Sequence, residues 1–231
     1  MKEEMHRPEN YPSITVLICT LNEEKNLPYV LPQIPQWVDE ILLIDGHSSD
    51  NTVEVAKEIR PEIKVLYQPG KGKGDALKWG FKHASGDIIV TLDADGATNP
   101  EEMPKFIEPL LNGYDFAKGS RFLGGRPNMR WHRRLGNQMF ALLTNILYGT
   151  KYSDVCCGYN AFWKEACRSF GASGDTFLDE PTMSIRVRKA GLRVAEVSCA
   201  DRGRLGGIGK DHTLRQGWRI LQNIVRERFR G

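Results

Sequence analysis

Asp93 and Asp95 stand one residue apart where an apolar run, Ile88-Ile89-Val90-Thr91-Leu92, gives way to Gly96. Such a run, bounded by a turn residue, predicts a central strand of a parallel sheet with both faces covered. Ligands of open α/β sheets collect beyond the carboxyl ends of such strands. Residues i and i+2 of a strand point to the same side, so the two carboxylates converge on one volume. Like charges held that close call for a cation, a proton or a hydroxyl-rich ligand. A hard divalent ion, Mg²⁺ or Mn²⁺, bridging to a diphosphate meets that need. The plainer reading makes both residues solvated turn residues that close a strand.

Other residues fit the same chemistry. Thr20-Leu21-Asn22-Glu23 follows the apolar run Ile14–Cys19, and Asp45 closes the run at 40–44. Gly70-Lys71-Gly72-Lys73-Gly74 could approach a phosphate or be an exposed turn; it lacks the Gly-Lys-Ser/Thr ending of a P-loop. The first strand-to-helix turn lacks Gly-x-Gly-x-x-Gly, which argues against a dinucleotide-binding enzyme. Ser120-Arg121 ends a later strand. Arg204 and Lys210 share a glycine-rich stretch, spaced Arg-x-x-Gly-x-x-Lys, that could close over phosphates. Asp154 and Glu180 are the candidates for a general base toward a hydroxyl acceptor. Their structural alternatives are a turn residue and a residue in a helix's first turn.

The elements that must carry these residues follow from the pattern. Strands are predicted at 14–19, 40–44, 63–67, 88–92, 115–119 and 193–197, with a short one after Tyr159. Helices are predicted from an Asn22 cap toward Val30, at 52–59, at 76–84, from Pro100, at 139–148, from Glu180 to Ala190, and at 213–230. Alternation of strand and helix over the first 110 residues predicts a parallel sheet with right-handed crossovers. The stretch 139–148 is either a core helix or, with Trp131 and the nearby arginines, a membrane-interface helix. In the last helix Leu214, Trp218, Leu221, Val225 and Phe229 share one stripe. Five arginines, Arg215, Arg219, Arg226, Arg228 and Arg230, stand against the single acid Glu227. That stripe either meets an anionic membrane or covers the domain's own core.

Composition bounds the rest. A chain of 231 residues with 40% hydrophobic and 26% charged residues is an ordinary globular one. The net charge of +3 hides an asymmetry: residues 1–115 carry 11 Lys+Arg against 20 Asp+Glu, and residues 116–231 carry 21 against 9. A basic second half points to an anionic partner. Nucleic acid is not expected, because no recognition motif is present. The five cysteines include no Cys-x-x-Cys, so reduced thiols and no zinc site are expected. No apolar run is long enough for a membrane span, and Met1–Asn10 has no signal-like apolar core. The expected location is cytoplasmic.

Four stretches taken together resemble glycosyltransferase family 2. They are Leu21-Asn22-Glu23, Asp45-Gly46-His47-Ser48-Ser49-Asp50-Asn51-Thr52, Gly72-Lys73-Gly74 with Gly86-Asp87, and Asp93-Ala94-Asp95. The second half is similar to the dolichyl-phosphate mannose synthase group of polyprenyl-phosphate glycosyltransferases. Gly119-Ser120-Arg121, Asp154 through Gly158-Tyr159, and Arg204 through Lys210 carry that likeness. The resemblance implies the GT-A fold, an α/β architecture with a mixed, mostly parallel central sheet and helices on both faces. It implies a polar tail at 1–12, one catalytic domain at 13–212 and the basic amphipathic helix at 213–231.

The resemblance also implies roles. Thr20, Asn22, Glu23 and Asp45 would bind the nucleotide, with Lys73 approaching it. Asp93 would face ribose or sugar, and Asp95, with Asp93, would hold Mg²⁺ or Mn²⁺. Arg121, Arg204 and Lys210 would neutralise phosphates. The sequence departs from the family pattern in three places: Gly46 and His47 replace part of Asp-Asp-Gly-Ser, Ala97 stands in place of Gln, and Gly209 in place of Ser. The implied activity is inverting transfer of a hexose from a nucleotide sugar, of GDP-mannose or UDP-glucose type. The acceptor would be a polyprenyl or dolichyl phosphate at the cytoplasmic membrane face. The alternatives are a soluble hydroxyl acceptor, or a catalytically silent membrane-associated or partner-binding module.

Overall fold

A computed structural model describes residues 11–125, 127–170, 178–206 and 213–230 of the chain. Seven strands form one sheet: β1 (Ile14–Thr20), β2 (Glu40–Asp45), β3 (Lys64–Tyr67), β4 (Ile88–Asp93), β5 (Phe116–Ser120), β6 (Asn160–Trp163) and β7 (Val194–Ser198). Their order is β3-β2-β1-β4-β6-β5-β7. All pairs are parallel except those of β6, which runs antiparallel between β4 and β5. The helices are α1 (Leu27–Val30), α2 (Thr52–Ile59), α3 (Lys73–His83), α4 (Met103–Leu111), α5 (Trp131–Tyr148), α6 (Glu180–Lys189) and α7 (Thr213–Arg228).

The centre of the sheet follows from the apolar runs. β1 and β4 are paired, and every residue is buried except Cys19 and Asp93 near their ends. Alternate side chains fill two cores. Ile14, Val16, Ile18, Val90 and Leu92 pack with Met103, Phe106 and Ile107 on one face. Leu17, Leu42, Ile44 and Ile89 pack with Leu77, Phe81 and Phe162 on the other. Gly80 lets α3 lie against β1, since a Cβ there would sit 2.2 Å from Leu17 Cδ1. Strand order reverses between β1 and β4, and a crevice opens at such a switch point beyond the carboxyl ends. Register brings Thr20 beside Asp45, and Cys19 beside Asp93, at that edge. All five cysteines are free thiols.

Three expected helices differ. The helix toward Val30 is only the four-residue α1, and Asn22 is not its cap: Asn22 adopts φ 60° in the preceding turn. Its side chain instead accepts a bond from Ser49 N at 2.8 Å, which favours this left-handed turn. Helix α3 starts at Lys73 rather than Ala76, so Lys73 belongs to its first turn. Helix α5 starts at Trp131, well before Met139, and buries only Ala141 and Thr144.

Candidate functional site

Asp93 is the last residue of β4, and its side chain leaves the sheet on the side covered by α3 and α6. Lys73 Nζ makes ion pairs with both Asp93 and Glu180. Helix geometry explains how the three meet. A Cβ on Gly74 would lie 2.2 Å from Leu178 O, so glycine lets the start of α3 press against the segment that leads into α6. Asp179 caps α6, accepting from Thr182 N at 2.8 Å, and sets Glu180 in the first turn. Gly158 closes the opposite wall: a Cβ there would lie 2.3 Å from Asp93 Oδ2.

Asp95 lies in the turn beyond the strand. Its Oδ1 accepts from Ala97 N at 3.0 Å, and its backbone oxygen accepts from Leu205 N at 3.1 Å. Burial, with the charge of Asp93 beside it, raises the Asp95 carboxyl above its ordinary value. Burial also works upward on Asp93, but the Lys73 ammonium and the more distant Arg121 outweigh it and lower that carboxyl.

The ends of β1 and β2 form a second polar cluster. Asp45 is buried; its Oδ1 accepts from Thr20 Oγ1 at 3.1 Å and Ser48 Oγ at 2.6 Å, and its Oδ2 accepts from Ser48 N at 2.8 Å. His47, at φ 63°, stacks on the exposed Tyr67 with centroids 5.6 Å apart. Glu23 N donates to Thr52 Oγ1 at 2.8 Å. Its carboxylate takes a two-pronged pair from Arg204, at 3.1 and 2.6 Å.

That pair straps residues 200–206 across the site. Arg202 N donates to Ala97 O at 2.8 Å, and Gly206 N to Asn26 Oδ1 at 2.6 Å. Lys210 lies outside the described residues.

Arg121 follows β5 and grips Asp154 with two bonds, 2.7 and 3.1 Å long. Asp154 is fully buried. Burial opposes its charge, but the bonds to Arg121, with Lys118 nearby, hold its carboxyl below the ordinary range. Asp154 therefore sits as the anchor of Arg121. Lys118 is buried in β5, its Nζ 5.9 Å from the Tyr152 ring centroid and without a hydrogen-bond partner among the described residues.

The structure thus brings the expected residues into four groups: Asp93–Lys73–Glu180 with Asp95, Thr20–Asp45, Glu23–Arg204, and Arg121–Asp154. The sequence analysis does not foresee Lys118, the stacking of His47 on Tyr67 or the special need for Gly158. A lysine inside the run Phe116-Ala117-Lys118-Gly119 is the one of these with a signal in the sequence. Half-buried carboxylates that repel one another, as Asp93 and Asp95 do, are hard oxygen donors suited to Mg²⁺ or Mn²⁺. Among the described residues no cluster of three or more His, Cys, Asp or Glu surrounds them. A divalent ion held here would need further oxygens from its ligand or from water.

Residues 15–171 match the family model of Glycosyl transferase family 2. The chain belongs to glycosyltransferase family 2. Its relatives include the dolichyl-phosphate hexose transferase of Haloferax volcanii, 30% identical over 199 residues, covering 85% of this chain and 86% of that protein. Glycosyltransferase AglJ of the same organism is 30% identical over 191 residues, covering 80% of this chain but only 61% of AglJ. Among solved structures, glucosyl-3-phosphoglycerate synthase from Mycobacterium tuberculosis, in complex with Mn²⁺, UDP and glucosyl-3-phosphoglycerate, aligns with TM-score 0.74. That alignment is 22% identical and covers 95% of this chain and 81% of the synthase. The shared architecture is the GT-A fold.

Proposed function

We propose that this family 2 enzyme transfers a hexose, with inversion, from a nucleotide sugar of GDP-mannose or UDP-glucose type to a polyprenyl or dolichyl phosphate at the cytoplasmic membrane face. One observation carries the choice of acceptor. Both carboxylates that could take a proton from a hydroxyl are tied to cations, Asp154 to Arg121 and Glu180 to Lys73. A phosphate acceptor is already ionised at neutral pH and needs no such base. The relative named as a dolichyl-phosphate hexose transferase supports the same reading.

The chain's residues divide the work. Thr20, Asn22, Glu23 and Asp45 shape the nucleoside end, with the His47–Tyr67 stack beside them. Asp95 and Asp93 would hold Mg²⁺ or Mn²⁺, whose chemistry is to neutralise charge on the departing nucleoside diphosphate. Lys73 and Arg204 add fixed positive charge on that side. Arg121, oriented by Asp154, offers its guanidinium to the acceptor phosphate. A phosphate oxygen attacks the anomeric carbon from the face opposite the diphosphate. The new C–O bond forms as the old one breaks, and the diphosphate leaves with the electron pair. No described helix is long and apolar enough to cross a membrane.

A second reading rests on Glu180. If Lys73 turned to a donor phosphate, Glu180 would be released beside Asp93 as a base for a soluble hydroxyl acceptor. A donor screen with Mg²⁺ or Mn²⁺, with and without polyprenyl phosphate, separates the two. The expected result is nucleoside diphosphate release that requires the lipid phosphate, and loss of metal-dependent donor binding in Asp95→Ala with the fold intact. Turnover supported only by a soluble hydroxyl compound would move the assignment to the second reading. No turnover with any acceptor would leave a silent module.

A further inference from the structure

Two neighbouring helices each turn an apolar stripe to solvent. On α5 it comprises Trp131, Leu135, Met139, Leu142 and Ile146, with Trp131 77% and Ile146 71% exposed. Spacings of four, four, three and four residues hold all five within a narrow arc of the helix. On α7 the stripe is Trp218 and Val225, continued by Phe229 just past its end, with Trp218 62% and Phe229 85% exposed. The core-facing sides, Ala141 and Thr144 on α5, Ile224 and Glu227 on α7, lie roughly opposite.

The two stripes belong to helices that pack on one another. The two helices run alongside in the same direction: a Cβ on Gly217 would lie 3.7 Å from Phe140, and further along Tyr148 Oη donates to Ile224 O at 2.6 Å. Each helix beds on the rest of the chain with the face opposite its stripe.

Charge identifies the occupant. Arg215, Arg226 and Arg228 are exposed on α7 and flank its stripe. Helix α5 contains no acidic residue, and Glu227, the single acid of α7, is buried against Arg186. A second copy of the same face would set arginine against arginine. An anionic bilayer satisfies both features, taking aromatic and aliphatic side chains at its headgroup boundary and arginines against its charge.

We infer that the α5–α7 face docks on an anionic lipid bilayer. The inference deepens the proposed function and rests on it for its purpose, bringing the site to an acceptor anchored in lipid. Both ends of α5 connect to the site: the loop after Arg121 leads in, and Tyr152 to Asp154 lead out.

The test is sedimentation of the full chain with vesicles of phosphatidylcholine, alone or mixed with phosphatidylglycerol, at low and high salt. Binding is expected only to the anionic vesicles and weakens with salt. Leu142→Asp with Ile146→Asp should weaken it by at least about tenfold, and Arg215→Gln or Arg226→Gln by roughly fivefold each. Unchanged melting and unchanged transfer to a water-soluble short-chain polyprenyl phosphate exclude a folding effect. Trp218→Ser with Phe229→Ser repeats the test where the aspartate variant fails to fold.

No vesicle binding by an enzyme that transfers to the short-chain phosphate overturns the docking face and leaves the function standing. Vesicle binding lost in the variants, without transfer to any polyprenyl phosphate, supports the face and removes the function. A dimer in solution that the variants dissolve, with no vesicle binding, assigns the face to self-association and overturns the inference.

Discussion

Lys73 is the residue on which the candidate site depends most directly. Its ammonium separates Asp93 from Glu180, two carboxylates that would otherwise share one small volume. Without it, the nearer of the two cations that lower the Asp93 carboxyl is gone, and burial is opposed only by the more distant Arg121. Lys73→Met is therefore expected to raise that carboxyl. Activity that needs ionised Asp93 should fail at a higher pH than in wild type as the medium is acidified. At neutral pH the loss of a charged hydrogen bond of about 1.5–3 kcal/mol corresponds to roughly 10–100-fold in kcat/KM. The pH profile of kcat/KM checks this, and an acidic limb that does not move would detach Lys73 from the site's electrostatics. Asp93 and Asp95 were legible from sequence because β4 is apolar until it emerges. The pairing of Lys73 with Glu180, and of Arg204 with Glu23, was not. Each joins residues far apart in the chain, and nothing in spacing encodes how closely α3 presses on the start of α6.

At the scale of elements, the strands were legible for a simple reason: each central one buries both faces and so reads as an unbroken apolar run. The antiparallel direction of β6 was not legible, since direction depends on how the chain returns rather than on composition. The start of α5 was missed because its first turns, Trp131-His132-Arg133-Arg134, carry no inward apolar periodicity. The sequence of α7 shows one apolar stripe with two possible destinations. The structure turns Trp218, Val225 and Phe229 outward, leaves Leu221 half-buried and packs Ile224 and Glu227 inward. Strand β2 carries a device at its other end. Glu40 is buried; it accepts from Thr15 Oγ1 at 2.6 Å, Ser85 N at 2.8 Å and Lys64 Nζ at 2.6 Å. Burial alone would raise its carboxyl, but these donors bring it down to about 2. A lowered folded-state value stabilises above the unfolded value, and that contribution is lost as pH falls through the folded one. Glu40→Gln should therefore cost on the order of 2 kcal/mol at pH 7, and the gap from wild type should close between about pH 4.5 and 2. Urea unfolding at several pH values measures the gap; one that stays constant with pH would remove the ionised carboxylate from the explanation.

The whole molecule divides its charge as its sequence does. The acidic first half supplies Glu23, Asp45, Asp93 and Asp95 to the end of the site proposed for the nucleotide, and the basic second half supplies Arg121, Arg204 and the arginines of α7. Arg186 of that half also works inward: on α6 it bonds Glu227 at 2.7 Å. Asn223 Nδ2 donates to Asp179 Oδ2 at 3.0 Å, the same carboxylate that caps α6. Helix α7 thus supports the element that positions Glu180, besides presenting its stripe to solvent. Removing residues 213–231 should therefore do more than weaken vesicle binding. It exposes the ground beneath Ile224, whose burial is worth about 1.5–3 kcal/mol, and leaves Arg186 without its buried partner. A combined loss of about 3 kcal/mol lowers Tm by roughly 6–12 °C in a chain of this size. Trp218→Ser with Phe229→Ser touches only the exposed stripe and should leave Tm within about 2 °C of wild type. Thermal melts of the two variants beside wild type decide the point. A truncated chain that melts like wild type would make α7 an appendage with no part in holding α6. An equally large loss from the two serines would show that the stripe is buried against the chain itself.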